Sequence, residues 1–323
     1  MLNRREVMTL VGLGAGMSVI PCVGWSRVAT TRYTNPAVAI PAGACDCHVH
    51  VFDPQRFPYV DERVYTPDEA PLPALREHLQ RLHFERVVLV QPSPYGNDNS
   101  CMLEGLRQLG PERARGVAVV SEAPEPQVVQ ALHADGVRGL RLNLETFGKN
   151  PDPTRVATAM QAMASAIADL GWHLQLYTNL ATVATLASTL QRLPVPVVLD
   201  HFGHLDAAAG QQQPGYAALL ELLASGRLYV KLSALYRVST QLGYADVAPF
   251  VTQLAKTRPD RMLWASDWPH TMPAPGTRRS REGIERFREE DDGFALDQVL
   301  RWLGDPQLQR QLLVDNPHQL YWA

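Results

Sequence analysis

The chain has 323 residues, is 46% hydrophobic and carries a formal net charge of -3 at a pI near 6.4. That apolar content suffices for one large α/β domain or two small ones, and the lack of a basic excess argues against a nucleic-acid partner. Four cysteines, Cys22, Cys45, Cys47 and Cys101, make no disulfide framework.

The chain opens with Asn3-Arg4-Arg5-Glu6-Val7-Met8, and a weakly apolar stretch runs on to Ile20, diluted by Gly12, Gly14 and Gly16. It is shorter than the roughly 20 apolar residues of a membrane span. The layout predicts a twin-arginine-type signal peptide with its linker over residues 1–43, an address read by the export machinery and not a stable membrane anchor. A periplasmic location follows. No acidic residue falls between Glu6 and Asp46, and Ala37-Val38-Ala39 and Ala42-Gly43-Ala44 both have the small-x-small form of a cleavage site. Glu6-Val7 departs from the polar residue and Phe-Leu usual in such signals, and a chance arginine pair before a buried helix is the competing reading.

From residue 44 onward apolar runs alternate with helical patterns, the signature of a parallel sheet. The runs are Cys45–Phe52, Arg86–Gln91, Gly116–Val120, Val137–Asn143, His173–Thr178, Val195–His201, Leu228–Ser233 and Met262–Asp267. Helical spacing covers Leu72–Arg81, Met102–Leu109, Val128–Ala134, Val156–Leu170, Ala181–Leu193, Tyr216–Ala224 and Ala245–Lys256, and two short helices are expected between Asp297 and Trp322. The pattern predicts one (β/α)8 TIM-type barrel over residues 44–323. A doubly wound sheet is the alternative, but no Gly-rich loop follows the first strand. Trp268–Asp292 is the one long irregular stretch and is placed to cover a site.

In a barrel, chemistry sits where strands end. Strict alternation puts Asp46, His48 and His50 on one face and turns Cys45 and Cys47 towards the outer helices as inert small hydrophobes. Later runs end at Gln91-Pro92-Ser93, Arg141-Leu142-Asn143, Tyr177, Asp200-His201, Lys231-Leu232-Ser233 with Arg237 beyond, and Asp267. Each residue alone has a bland explanation: a structural ion pair for Arg141, a core aromatic for Tyr177, a backbone-satisfying imidazole for His48. Together they are costly to bury without a purpose.

The set Asp46-x-His48-x-His50, Gln91-Pro92-Ser93-x-x-Gly96-x-Asp98-Asn99, Gly139-x-Arg141-x-Asn143, Leu199-Asp200-His201-x-Gly203, Asp267-Trp268-Pro269-His270 and Leu312-Leu313-Val314-Asp315-Asn316-Pro317 resembles the amidohydrolase superfamily. Within it the set is similar to the lactonase branch that acts on pyrone dicarboxylates, and the resemblance spans nearly everything from Ala44 onward. It implies a distorted barrel that hydrolyses lactones, with Asp267 handling the water proton and His48, His50 and His201 beside it. Substrate contacts fall on Tyr65, Ser93, Arg141, Tyr177 and Arg237, and His270 is expected to bind substrate with them. One departure stands out: the pyrone-dicarboxylate members carry a second arginine shortly after the one matching Arg141, whereas this chain reads Asn143-Leu144-Glu145-Thr146-Phe147-Gly148-Lys149, so a related lactone is expected in place of the pyrone dicarboxylate.

Lactone opening by an Asp267 base, on a substrate whose carboxylate is gripped by Arg141 and Arg237, is the activity expected. A metal-dependent decarboxylase of the same superfamily and a non-catalytic periplasmic organic-acid binder are the alternatives. Metal-free hydrolysis is slightly favoured over a single Zn2+ held by His48, His50, His201 and Asp267, and a two-metal site is rejected for want of a bridging lysine on the fourth strand. The oligomeric state is not legible.

Overall fold

The computed structural model describes residues 34–120, 124–145, 152–273 and 276–323. The expected leader up to residue 33, with Cys22, lies outside them, as do Phe147, Gly148 and Lys149. Eight parallel strands form one sheet in chain order: β1 (Cys45–Val49), β2 (Arg86–Val90), β3 (Ala114–Ala118), β4 (Val137–Asn143), β5 (His173–Tyr177), β6 (Val197–Leu199), β7 (Leu228–Ser233) and β8 (Met262–Ala265). Helices α1 (Leu72–Arg81), α2 (Ser100–Leu109), α3 (Pro126–Ala134), α4 (Pro153–Ile167), α5 (Leu180–Arg192), α6 (Tyr216–Ala224) and α7 (Ala248–Thr257) fall between consecutive strands, and α8 (Asp292–Leu303) follows the last. The strand runs are apolar on both faces because one face packs inside the barrel and the other under the helices.

The sheet curls until β8 meets β1. Asp267 N donates to His48 O at 3.0 Å, His50 N donates to Trp268 O at 2.9 Å, and Val49 bridges Trp268. The result is a nearly closed (β/α)8 barrel. Several strands end earlier than their apolar runs, because the last residues leave the ladder to turn into the rim.

One expectation is overturned at β1. The register moves from Asp46 opposite Val87 to Val49 opposite Leu89, so three steps on β1 match two on β2. This bulge resets the alternation. Cys45 and Cys47 lie inside the barrel, packed with Val88, Val90, Val198 and Leu263 above Tyr321, and do not face the outer helices. Asp46 parts from the histidines: its carboxylate accepts from Ser266 N at 3.0 Å and lies 3.5 Å from His78 on α1. It staples β8 to β1. On β4, Gly139 leaves room for the buried ring of His173, which a Cβ would meet at 2.5 Å.

The long segment after β8 is not wholly irregular. Ile284–Glu285 pairs in parallel with Thr66–Pro67, and Thr66 Oγ1 donates to Arg281 O at 2.7 Å. The tail begins earlier than expected, because Asp291 caps α8 by accepting from Phe294 N at 3.0 Å. Upstream of β1, the chain from Thr34 is docked: Thr34 N donates to Asp291 at 2.9 Å, and Ala37 N donates to both carboxylate oxygens of Asp297 at 2.9 Å.

Candidate active site

Asp267 lies two residues beyond the end of β8 with a φ of 67°, a left-handed conformation uncommon outside glycine. His201, just beyond β6, has a φ of 50°. Such strain is held only where surrounding contacts over-determine it, and it turns both side chains inward over the rim. One oxygen of Asp267 is fully gripped: Oδ2 accepts from Tyr236 OH at 2.6 Å and from Arg237 Nε at 2.9 Å, with Nη2 also 2.9 Å away. The other oxygen, Oδ1, is buried and has no hydrogen-bond partner among the described residues. Burial alone would raise this carboxyl, but Arg237, then the three histidines, hold it well below the usual carboxylate range.

Around the orphaned oxygen stand three imidazole nitrogens. His48, His50 and His201 Nε2 lie 3.7, 3.8 and 3.6 Å from Oδ1, and His48 Nε2 is 3.2 Å from His50 Nε2. His50 Nδ1 donates to Val90 O at 2.7 Å, and His201 Nδ1 sits 2.8 Å from Ser233 Oγ. With protons on Nδ1, the inward Nε2 atoms are lone-pair donors. Burial above all keeps both rings neutral, pushing His50 down to about 3 and His201 well below its ordinary value.

His48, His50 and Asp267 converge closely enough to share a single cation, and His201 Nε2 stands 3.6 Å from the same carboxylate oxygen. Ligand atoms about 2.0–2.1 Å from a Zn2+-sized ion stand roughly 3.3 Å apart in a tetrahedron, close to the 3.2, 3.7 and 3.8 Å found among His48, His50 and Asp267. Among the described residues, His48, His50 and Asp267 form one candidate ligand group, and His48, Asp200 and His201 another. His48 accommodates either state. Its Nδ1 lies 3.1 Å from Asp200 Oδ1 and 3.1 Å from Lys231 Nζ. With Nδ1 protonated it donates to Asp200 and frees Nε2 for a cation; with Nε2 protonated it accepts from Lys231 and donates to His50.

Beneath the rim lies a charged floor in which the sequence reading assigns a role to Arg141 alone. Lys231 on β7 is fully buried, its Nζ 3.2 Å from Asp200 Oδ1 and donating to Gln175 Oε1 at 2.8 Å. Asp200 Oδ2 accepts from Arg141 Nε and Nη2 at 3.2 and 3.1 Å and from Gln175 at 3.1 Å. Burial opposes ionisation of Asp200, yet Lys231, His48 and Arg141 hold its carboxyl well below its ordinary range. A lysine inside an apolar strand was the available signal; its partners come from other strands and no local pattern reveals them.

A narrow cleft opens above, with His50, His201 and Asp267 at its base. Tyr65, Ser93, Arg141, Tyr177 and Arg237 line it, together with Asn143, which closes its run in the sequence, and with Thr271 and Arg279, which the sequence reading did not single out. Arg141 and Arg237 each spend part of their fork on a buried carboxylate, and Arg237 Nη1 also reaches Tyr177 OH at 3.3 Å. His270 is not brought to the cavity. It is buried behind the rim, its Nε2 3.0 Å from Asp292 Oδ1, where it ties the Asp267 loop to α8. Its left-handed backbone turns the side chain outward.

A protein-family model described as Amidohydrolase matches residues 45–322. The chain is 36% identical over 307 residues to a 2-pyrone-4,6-dicarboxylate hydrolase from Comamonas testosteroni, covering 90% of this chain and 94% of the relative. It is 32% identical over 306 residues to a 4-sulfomuconolactone hydrolase from Rhizobium radiobacter, covering 93% and 96%. Among solved structures, a probable 2-pyrone-4,6-dicarboxylic acid hydrolase from Acinetobacter baumannii with citric acid bound superposes with a TM-score of 0.73 at 29% identity, covering 86% of this chain and 99% of that one. The chain belongs to the amidohydrolase family.

Proposed function

We propose that this protein is an exported hydrolase that opens the ring of a lactone bearing an anionic group, with Asp267 as the base. One observation carries the reading: a buried carboxylate oxygen without a partner faces three imidazole nitrogens at the base of a cavity lined by arginines. The lactone hydrolases among its relatives support the reaction class.

In this mechanism Arg141 and Arg237 orient the substrate's anionic group with the N–H bonds not spent on Asp200 and Asp267. Tyr236 and Arg237 clamp Oδ2 and leave Oδ1 to take the proton of the attacking water. The water oxygen bonds to the ring carbonyl carbon, the ring C–O bond breaks, and Asp267 returns its proton to the leaving oxygen. A carboxylate held this low is a weak base, and imidazoles protonated on Nδ1 offer no Nε2–H to an oxyanion. A cation held by His48, His50, His201 and Asp267 would polarise the carbonyl and acidify the water. The His50 tautomer, fixed by the Val90 carbonyl, supports the single-cation alternative, whereas the partners of His48 and His201 suit either route.

Export rests on Arg4-Arg5 and the apolar run behind them. The docking of Thr34 on Asp291 and of Ala37 on Asp297 supports a mature chain that starts upstream of Thr34.

The test is acid release from carboxylated pyrone, muconic, sugar and aryl lactones, with carbon dioxide measured in parallel. Elemental analysis accompanies it, with turnover before and after chelation. We expect acid without carbon dioxide, and one equivalent of metal whose removal abolishes turnover and whose return restores it. Release of carbon dioxide would replace lactonase by decarboxylase. Full activity in metal-free protein would restore the metal-free route.

A further inference from the structure

A second group of cations gathers at the end of the barrel away from Asp267. β4 runs from one end to the other: Asn143 at its end lines the cleft over Asp267, whereas Arg138 at its start lines a cavity of about 200 Å3 with Arg107, Arg115 and His133. The backbone sets Arg138 apart. Gly116 on β3 lies opposite Val137 and Val117 opposite Gly139, so Arg138 is the extra residue of a bulge, a device that re-aims a side chain out of regular alternation.

These groups keep donors in reserve. Arg115 holds the tail and the turn before β3, with Nε donating to Tyr321 O at 3.0 Å and Nη1 to Pro111 O and Ala114 O. Arg138 Nη1 donates to His133 O at 3.2 Å and to Val137 O at 2.7 Å. Among the described residues the Nη2 group of each has no acceptor, and neither guanidinium has a carboxylate within ion-pair reach. Asp135, the acid in the wall, is engaged by Arg107 at 3.4 Å, and Glu112 acts on Arg115 only from a distance. Trp172 Nε1 donates to His133 Nδ1 at 2.9 Å, its ring nearly parallel to the imidazole, so the neutral ring carries its proton on Nε2 as a third donor. Burial, then Arg138, pulls Arg115 below its ordinary pKa; burial, then Arg138 and Arg115, does the same to His133. The three groups sit in one another's field, and no described carboxylate relieves the repulsion.

A planar carboxylate matches a single guanidinium fork, whereas donors on two guanidiniums and a ring N–H suit an anion with oxygens on several sides. We propose that the cavity between α2, α3, β3 and β4 is a binding site for a tetrahedral oxyanion of the phosphate class, held by Arg115, Arg138 and His133. It is separate from the catalytic cleft and independent of the lactonase reading.

Inorganic phosphate and glycerol 3-phosphate are the probes, titrated calorimetrically into the purified protein in chloride buffer. Wild type should bind one equivalent saturably. Arg138→Met should weaken phosphate binding by about tenfold, the scale of one charge-assisted pair. Ala134→Glu, which adds a carboxylate to the exposed cavity wall, should abolish it, and this arm decides if Arg138→Met fails to fold. Arg279→Met, in the catalytic cleft, should leave the affinity unchanged. No saturable binding of either probe by wild type, undiminished affinity in Arg138→Met or in Ala134→Glu, or binding lost in Arg279→Met would overturn the proposal. Tighter binding of inorganic phosphate would support the free ion as occupant, and tighter binding of glycerol 3-phosphate a phosphoryl group on a larger molecule.

Discussion

Asp267 is gripped on one oxygen and open on the other, and that asymmetry sets its expected behaviour. Asp267→Asn keeps the shape and the Tyr236 contact but loses the basic oxygen. Turnover should fall by about 10²–10⁴, the usual worth of a positioned proton carrier, with the folded signal intact; near-normal turnover would contradict the base assignment. Arg237 has two employments. From sequence its expected role is a carboxylate grip, so Arg237→Met would raise KM for a carboxylated lactone and spare the methyl ester. The structure adds the 2.9 Å pair with Asp267. We therefore expect kcat to fall for acid and ester alike, with an extra KM rise for the acid. An unchanged kcat on the ester would show that the pair with Asp267 is dispensable. At this scale His48, His50, His201 and Asp267 were legible because chemistry-bearing types closed apolar runs. Lys231 and Gln175 were not, because their meaning lies in partners on other strands.

Elements fixed which of these residues meet. Alternation along β1 predicts one face for Asp46, His48 and His50, and the single-residue bulge sends Asp46 outward to His78 and Ser266 and both cysteines into the barrel. A bulge leaves little trace in a single sequence, since it answers to the pairing partner, here β2. The segment Trp268–Asp292 was legible as a long loop able to cover a site, but its pairing with Thr66–Pro67 unites stretches more than two hundred residues apart. The element before β1 bears on processing. Ala44 is fully buried and its carbonyl accepts from Glu85 N and Arg86 N. Cleavage after Ala44 would cut into that pairing, and cleavage after Ala39 would discard the contacts of Thr34 and Ala37. On the export proposal, sequencing the mature protein should find a start upstream of Thr34; a start at Ile40 or Cys45 would refute this and return the choice to the two small-x-small sites.

For the molecule as a whole, the buried polar floor makes stability depend on pH. His173 is fully buried beneath the site, and burial, then Lys231, push its pKa down to about 3. An exposed imidazole in the unfolded chain titrates near 6.5, so below that pH the unfolded state binds the extra proton. This contribution is intact above about pH 6.5 and is lost as pH falls towards 3, by up to roughly 1.4 kcal/mol per pH unit. Denaturant titrations of wild type and His173→Gln should show a shallower loss in the variant between pH 6.5 and 4; equal slopes would show that His173 does not control it. The barrel itself was readable from the linear chain, because strands buried on both faces must be continuously apolar and the helices between them must be amphipathic. Those are local demands that each segment meets alone. The pairing of Asp200 with Lys231 and Arg141, the inward cysteines, the outward His270 and the Arg279 wall come from closure of β8 onto β1 and from loops meeting over the rim. Such contacts depend on register and distance between remote segments, which periodicity along the chain does not encode.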